Sequence, residues 1–226
     1  MKIKLLILVF LLITHLGRGQ QTKESFITKL DYLLYLPQSY ETDTAKQWPL
    51  MIFLHGSGEQ GNDLEKVKVH GPPMLIEQGR QFPFIVISPQ AKRGWNADEL
   101  YKMLQDFIGK NRVDTDRIYL TGLSMGGYGT WSLAIKHPEM FAAIIPICGG
   151  GNTKYIKRLR HMPVWCFHGE KDNIVPLKSS EKMIKALKKI NPKVKFTIYP
   201  EVGHDSWIKA YNDPKLYDWM LQQKKR

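Results

Sequence analysis

The five residues from Gly122 to Gly126, which read Gly-Leu-Ser-Met-Gly, constrain the fold of this chain more than any other stretch. Before them, residues 117–121 form a β-branched and aromatic run that is typical of a buried strand. After them, residues 127–135 have the spacing of a helix. A strand, a tight turn and a helix form the setting in which this pattern makes a nucleophile elbow. The segment therefore predicts a strained turn that presents Ser124, with small residues on both sides because the backbone packs closely there.

Apolar runs alternate with amphipathic segments along the rest of the chain. This alternation predicts an α/β fold with a mostly parallel sheet of about seven strands and helices on both faces. The predicted strands are 30–36, 49–54, 84–88, 117–121, 141–147, 163–167 and 194–199, and the predicted helices are 72–79, 96–111, 127–135, 154–160, 178–190 and one from about 214. In such sheets the ligand crevice lies at the carboxyl ends of the strands.

A serine hydroxyl needs a histidine base held by a carboxylate, and this fold supplies them in the order Ser, Asp, His. His204 follows the last predicted strand in a Gly-His turn, and Asp172 follows the strand before it. We predict Ser124, Asp172 and His204 as a catalytic triad. Glu170 and Asp205 are the alternatives for the acid, although Asp205 is adjacent to the histidine in sequence and neighbours do not easily face each other.

Three other histidines are predicted to have structural or pocket roles. His55 and His168 each end a strand before a glycine and are predicted to hold loop geometry, whereas His70 lies in the long loop and could line a pocket. The oxyanion that forms during acyl transfer needs two donors. We predict the backbone N–H groups of Met125 and Ser57, with Gly56 as the alternative to Ser57. The predicted pocket residues are Glu59, Trp95 and Trp207.

Four segments resemble one branch of the α/β-hydrolase superfamily. They are the elbow at 122–131, the His-Gly-Ser-Gly-Glu loop at 55–59, the Val-Asp-x-Asp-Arg-Ile-Tyr run at 113–119 and the His-Gly-x-x-Asp loop at 168–172. The branch contains secreted esterases of the polyhydroxybutyrate-depolymerase, feruloyl-esterase and phospholipase/carboxylesterase type, some of them described as peptidases of the prolyl-oligopeptidase type. The resemblance extends from about residue 30 onward.

The resemblance implies a serine carboxylesterase that works through an acyl-enzyme, with acetyl or feruloyl esters of plant cell-wall polysaccharide as one implied substrate class. It gives Ser124, Asp172 and His204 the same roles as the residue-based prediction. Two alternatives stay open: a serine peptidase with the same triad, and a non-catalytic binding protein on a hydrolase scaffold. The chain departs from the branch in its short N-terminal region, which leaves little room for the early strands, and in having no propeller domain.

The first twenty residues differ from the rest. Lys2 and Lys4 precede an apolar run of about a dozen residues, which small residues follow near Gly19. This pattern predicts a signal peptide at 1–20, a single catalytic domain at 21–226, and a secreted or periplasmic protein without stable membrane insertion. An uncleaved anchor is the alternative, although the run is short for a membrane span.

Net charge and cysteine content indicate which kinds of partner and which kinds of crosslink to expect. The full chain has a formal charge of +12, and the loss of residues 1–20 would leave +9. The lysines of 178–190 lie at helical spacing opposite an apolar face, so they indicate a solvated helix rather than a nucleic-acid surface, and polyanion binding is the alternative. Cys148 and Cys166 lie in apolar runs and are predicted to be free buried thiols, with a disulfide as the alternative. No cofactor and no metal is predicted. The predicted partner is the substrate, a small-molecule or polysaccharide-linked ester.

Overall fold

The seven predicted strands and one further strand assemble into an eight-stranded sheet within the described residues. A computed structural model describes residues 21–25 and 30–225, so the signal peptide predicted at 1–20 lies outside the described residues. The strands are β1 (Gln21–Ser25), β2 (Asp31–Tyr35), β3 (Trp48–Leu54), β4 (Ile85–Pro89), β5 (Val113–Leu123), β6 (Ala143–Ile147), β7 (Val164–Gly169) and β8 (Val194–Tyr199). Their order across the sheet is β1-β2-β4-β3-β5-β6-β7-β8.

Strands β3 to β8 are parallel, and β1 and β2 are antiparallel additions at one edge. The predicted fold with a mostly parallel sheet is therefore confirmed, and the prediction of about seven strands is approximately right, since the structure has one strand more. The missed strand is β1, which reads Gln-Thr-Lys-Glu-Ser and pairs with β2 through the backbone. Its polar residues carry no hydrophobic alternation, so the sequence pattern could not identify it.

Both faces of the sheet are covered by helices, because side chains alternate across each strand. In β3, Leu50, Ile52 and Leu54 join the core on one face, whereas Met51 and Phe53 join the core on the other. The helices are α1 (Gly71–Glu77), α2 (Ala97–Lys110), α3 (Met125–Lys136), α4 (Lys178–Lys188), α5 (Trp207–Asn212) and α6 (Pro214–Leu221). Helices α2, α3 and α4 cover the first face, and α1, α5 and α6 cover the second.

Most helices begin and end where the sequence indicates. The Asn96 side chain caps α2 by accepting hydrogen bonds from the N–H groups of Asp98 and Glu99. Helix α4 buries Met183, Ile184 and Leu187 and leaves its lysines toward solvent. Residues Thr153–Leu159 form a 3-10 helix. Helix α5 was not predicted, because its six residues are too few to show a helical period.

The carboxyl ends of the parallel strands form the edge where the predicted site lies. His55 follows β3, Ser124 follows β5, Cys148 follows β6, and Asp172 and His204 lie in the loops after β7 and β8. Because neighbouring parallel strands end at the same edge, residues distant in sequence meet there.

Across the described ranges, no helix combines the length and the hydropathy that a membrane span requires.

Candidate active site

Ser124 lies in a strained turn between the end of β5 and the start of α3. Its backbone has φ 52° and ψ −116°, a conformation that side-chain-bearing residues rarely adopt. The turn is possible because the residues two positions before and after Ser124, Gly122 and Gly126, have no Cβ. A Cβ on Gly122 would lie 2.4 Å from the carbonyl oxygen of Gly126, and a Cβ on Gly126 would lie 1.9 Å from that of Leu54. The two glycines therefore have the role that the sequence predicts for them.

Ser124, His204 and Asp172 form a continuous line of hydrogen bonds. His204 Nε2 lies 2.9 Å from Ser124 Oγ, and His204 Nδ1 lies 2.8 Å from Asp172 Oδ2. The Asp172 side chain is fully buried, while the imidazole of His204 is 19% exposed. Because a carboxylate only accepts hydrogen bonds, Nδ1 carries the hydrogen and Nε2 is left to accept from the serine hydroxyl.

The Asp172 carboxylate is fixed by its own loop. Its Oδ1 accepts hydrogen bonds from the backbone N–H groups of Ile174 and Val175, at 3.0 and 2.9 Å. The alternatives for the acid lie elsewhere: Glu170 accepts a hydrogen bond from the Glu201 N–H, and Asp205 caps the start of the next helical turn through its carbonyl oxygen. The geometry therefore brings Asp172, and neither alternative, to His204.

His168 is a second histidine on the same carboxylate. Its Nδ1 lies 2.7 Å from Ser180 Oγ, and its Nε2 lies 2.9 Å from the Val175 carbonyl oxygen and 3.2 Å from Asp172 Oδ2. Both neighbours of Nε2 are acceptors, so this nitrogen carries the hydrogen. His168 thus holds the loop, as the sequence predicts, and it also contacts Asp172. The four-residue spacing in His-Gly-x-x-Asp was the available signal for that contact.

The predicted oxyanion donors lie at the expected edge. Met125 is the first residue of α3, where backbone N–H groups have no partner within the helix. Gly56 is buried against the elbow, since a Cβ there would lie 3.7 Å from Ser124 Cβ. Ser57 follows it at the start of a short 3-10 helix and is exposed. The choice between the N–H groups of Ser57 and Gly56 stays a prediction.

The three predicted pocket residues take different positions. The Trp207 ring packs edge-on against His204, with 5.1 Å between ring centroids. Glu59 is 6% exposed in the loop after β3. Trp95 packs on His55 and donates from Nε1 to its carbonyl oxygen, and it lines a cavity of about 850 Å³ whose lining does not include Ser124. Trp207 and Glu59 therefore border the triad, whereas Trp95 supports the loop beside it.

His55 joins two loops at the edge of the site. The Ala91 N–H donates to His55 Nε2 at 3.0 Å, so Nδ1 carries the hydrogen and donates to the Gly56 carbonyl oxygen at 2.6 Å. Burial lowers the pKa of His55 from 6.5 to about 4, because the charged imidazolium would lose its hydration. His55 is therefore a neutral structural residue at ordinary pH, as its place in the sequence suggests.

This lowered pKa predicts a specific loss of stability in acid. Between about pH 6.5 and pH 4 the unfolded chain binds a proton on His55 that the folded chain does not, so the free energy of unfolding falls as the pH falls. We expect up to about 3 kcal/mol from this group. Urea unfolding at several pH values would measure it, with His55→Gln flattening the slope. Exposed His161→Gln is the control, and equal slopes for all three proteins would contradict the prediction.

Cys148 contacts the backbone of the nucleophile. The Ser124 N–H donates to the Ile147 carbonyl oxygen at 3.0 Å and also approaches Cys148 Sγ at 3.3 Å, and both cysteines are free and buried. Sequence reasoning missed this contact, although Cys148 follows a central strand at the carboxyl edge.

The Cys148 sulfur, an Asp172 oxygen and a His204 nitrogen lie within 4.8 Å of one another and are potential metal ligands by type. However, Asp172 and His204 already share a hydrogen bond, and burial raises the pKa of the Cys148 thiol, so the set is poorly suited to a cation.

The same burial predicts that neither thiol reacts in the native protein. Burial raises the pKa of Cys148 well above its usual range and that of Cys166 to about 12, so the reactive thiolate is scarce. We expect no reaction with a colour-forming disulfide reagent under native conditions and two equivalents in concentrated guanidinium chloride. One equivalent reacting in the folded protein would show that one thiol is accessible.

Comparison with known proteins identifies the family. Residues 90–215, just over half of the chain, match the Dienelactone hydrolase family. A bifunctional acetylxylan esterase/xylanase of Neocallimastix patriciarum is 24% identical over 164 residues, which cover 69% of this chain and 23% of that protein. The crystal structure of a thermostable esterase superposes with a TM-score of 0.78 at 29% identity, covering 93% of this chain and 64% of that one. A ferulic acid esterase has a TM-score of 0.70 at 20% identity, covering 90% and 97%, and this likeness shows the fold alone.

Fold and comparisons together define a protein with the α/β-hydrolase fold. The chain belongs to the dienelactone hydrolase family. It spans between 23% and 40% of the length of the first curated relatives that it matches.

Proposed function

We propose that this chain hydrolyses carboxylic esters with Ser124 as nucleophile, His204 as general base and Asp172 as the orienting acid. The hydrogen-bond line from Ser124 Oγ through His204 to Asp172 is the observation that carries the proposal. Each contact lies within the range in which a proton can transfer between nucleophile and base. The strained φ of Ser124 adds support, since such strain is common at reacting residues.

The first half of the reaction forms an acyl-enzyme. Ser124 Oγ attacks the ester carbonyl carbon while its proton moves to His204 Nε2, and the buried Asp172 stabilises the imidazolium. The carbonyl oxygen becomes an oxyanion, which the backbone N–H groups of Met125 and Ser57 would stabilise. When the intermediate collapses, the bond to the alcohol oxygen breaks and His204 returns the proton to the leaving alcohol.

The second half releases the acid. A water molecule takes the place of the alcohol, gives a proton to His204 Nε2 and attacks the acyl carbon. Collapse of the second tetrahedral intermediate breaks the bond to Ser124 Oγ, and His204 returns the proton to the serine. The net reaction consumes one water and yields one carboxylic acid and one alcohol.

We infer that Glu59 and Trp207 shape the pocket directly, that Trp95 shapes it through the loop of His55, and that the substrate is an acetyl or feruloyl ester of plant cell-wall polysaccharide. The relative described as an acetylxylan esterase supports the acetyl group, and the resemblance described above supports the polysaccharide. The same proposal treats residues 1–20 as an export signal and residues 21–226 as one catalytic domain in a secreted or periplasmic protein.

A panel of substrates tests the reaction and its selectivity. We expect measurable kcat/KM on p-nitrophenyl acetate, and a preference for acetylated xylan or methyl ferulate over long-chain acyl esters. Aminoacyl anilides with the same chromophore form the second arm of the panel. Comparable kcat/KM on anilides and esters would favour a peptidase, and no turnover together with no labelling of Ser124 by a fluorophosphonate would favour a binding protein.

A further inference from the structure

Glu59 is a buried carboxylate with one oxygen that finds no hydrogen-bond partner among the described residues. The residue is 6% exposed, and its Oε2 is fully buried without a partner anywhere in residues 21–25 and 30–225. The nearest nitrogen atoms are His55 Nδ1, 3.9 Å from Oε2, and His70 Nε2, 3.8 Å from Oε1. Both distances exceed the hydrogen-bond range. A buried carboxylate without donors is unfavourable, so a group that donates to Oε1, the oxygen that faces His70, would stabilise its charge.

His55 cannot supply that donor. Its Nδ1–H already donates to the Gly56 carbonyl oxygen at 2.6 Å, and its Nε2 accepts from the Ala91 N–H. Burial also lowers the pKa of His55, so this imidazole stays neutral beside the carboxylate. His70 is different, because its side chain is 36% exposed and, within residues 21–25 and 30–225, it makes one ring contact, with Trp207, and this long approach to Glu59.

The Glu59–His70 gap borders the reacting atoms on two sides. A Cβ built on Gly56 would lie 3.1 Å from Glu59 Oε2 and 3.7 Å from Ser124 Cβ, so the carboxylate and the nucleophile both lie beside Gly56. On the other side, the His70 ring packs on Trp207 with centroids 5.3 Å apart, and Trp207 packs edge-on against His204 at 5.1 Å. The Glu59–His70 pair is therefore close enough to the triad for a substituent near the scissile ester to approach it.

We propose that Glu59 and His70 form a subsite for a hydroxyl group of the ester substrate, located on a carbon close to the scissile ester. This inference rests on the proposed function, since the subsite is defined relative to Ser124. Glu59 Oε1 and His70 Nε2 are 3.8 Å apart, so a hydroxyl oxygen placed between them can lie about 2.8 Å from each. The hydroxyl would donate to Oε1 and form a second hydrogen bond with Nε2. The preferred substrates are thus esters of sugars or other polyols.

A hydroxyl fits this subsite better than an ammonium group. The hydroxyl can donate to the carboxylate and accept from an imidazole N–H, whereas an ammonium group only donates. The protein is also strongly basic, with a formal charge of +12 over the full chain, which disfavours cationic ligands. A neutral polyol ester therefore satisfies both sides of the gap without adding positive charge.

Matched esters test the subsite. The probes are glycerol 1-monoacetate and propyl acetate, which carry the same acetyl group on three-carbon alcohols with and without hydroxyls. We expect the wild-type enzyme to prefer the glycerol ester by about tenfold or more in kcat/KM, the range that a hydrogen bond to a charged group provides. In Glu59→Leu and His70→Phe this preference should fall toward one, and in Glu59→Gln it should fall by a smaller factor.

The ratio of the two esters separates recognition from a general structural effect. A damaged fold lowers both rates together, whereas loss of the subsite lowers the glycerol ester selectively. Exposed Glu41→Gln is the matched control and should keep the wild-type ratio. A wild-type ratio near one, or an unchanged ratio in Glu59→Leu, would overturn the proposal, and so would stronger turnover of 2-(dimethylamino)ethyl acetate that depends on Glu59. Failure of the proposed function is a distinct result, because Ser124→Ala would then keep its activity on both esters.

Discussion

Replacing Ser124 by alanine is expected to lower kcat/KM for p-nitrophenyl acetate by about 10⁴-fold or more. The variant has no Oγ to attack the ester, and the rest of the triad cannot replace it because His204 and Asp172 act on the serine proton. Alanine is smaller than serine and keeps the same backbone, so the strained turn between β5 and α3 is expected to persist. Any remaining turnover would come from oxyanion stabilisation and substrate binding alone.

Two measurements accompany this variant. A fluorophosphonate probe should label the wild-type protein and leave Ser124→Ala unlabelled, and the thermal unfolding temperatures of the two should agree. Ser132→Ala is the matched control, since Ser132 is an exposed serine on the same helix, α3. Retention of near-normal ester hydrolysis by Ser124→Ala, with the control unaffected, would contradict the nucleophile assignment.

The elbow could be predicted from the sequence because its determinants are local. Two glycines, one serine, a preceding apolar strand and a following helix all lie within about twenty residues. The positions of Asp172 and His204 required one further rule, that residues after parallel strands share an edge of the sheet. Those two steps were sufficient to place three side chains whose sequence separations are 80 and 32 residues.

Contacts that depend on packing could not be predicted in the same way. Cys148 was identified as a buried thiol, but its hydrogen bond with the Ser124 N–H depends on how tightly β6 lies against the elbow. Glu59 was predicted as a pocket residue, but the sequence could not show that its Oε2 would be buried without a hydrogen-bond partner among the described residues. Strand β1 was missed for a different reason. It is held by backbone pairing with β2, and this pairing leaves no apolar pattern in the sequence.

Replacing Gly126 by alanine is expected to destabilise the whole fold, which is the largest stability effect that we predict. The new Cβ would lie 1.9 Å from the Leu54 carbonyl oxygen, 2.5 Å from its carbonyl carbon and 2.7 Å from the His55 carbonyl oxygen. All three atoms belong to the backbone at the end of β3, so no side-chain rotation can relieve the clash. Either α3 or β3 must move, and both are anchored in the same core. We expect a loss of about 3 kcal/mol or more in the free energy of unfolding, together with a loss of esterase activity.

Gly109→Ala is the matched control, because the same substitution is expected to stabilise the protein at this position. The comparison shows whether the loss at Gly126 comes from its close backbone contacts. Gly109 is an exposed residue in the last turn of α2, and a Cβ there would meet no atom within 4 Å. Because alanine is a better helix former than glycine, this variant should gain about 0.5–1 kcal/mol. Urea unfolding of both variants measures the two effects on one scale. Equal stability of Gly126→Ala and the wild type would mean that α3 does not approach β3 as closely as the elbow geometry requires, and the strained presentation of Ser124 would then lack its structural cause.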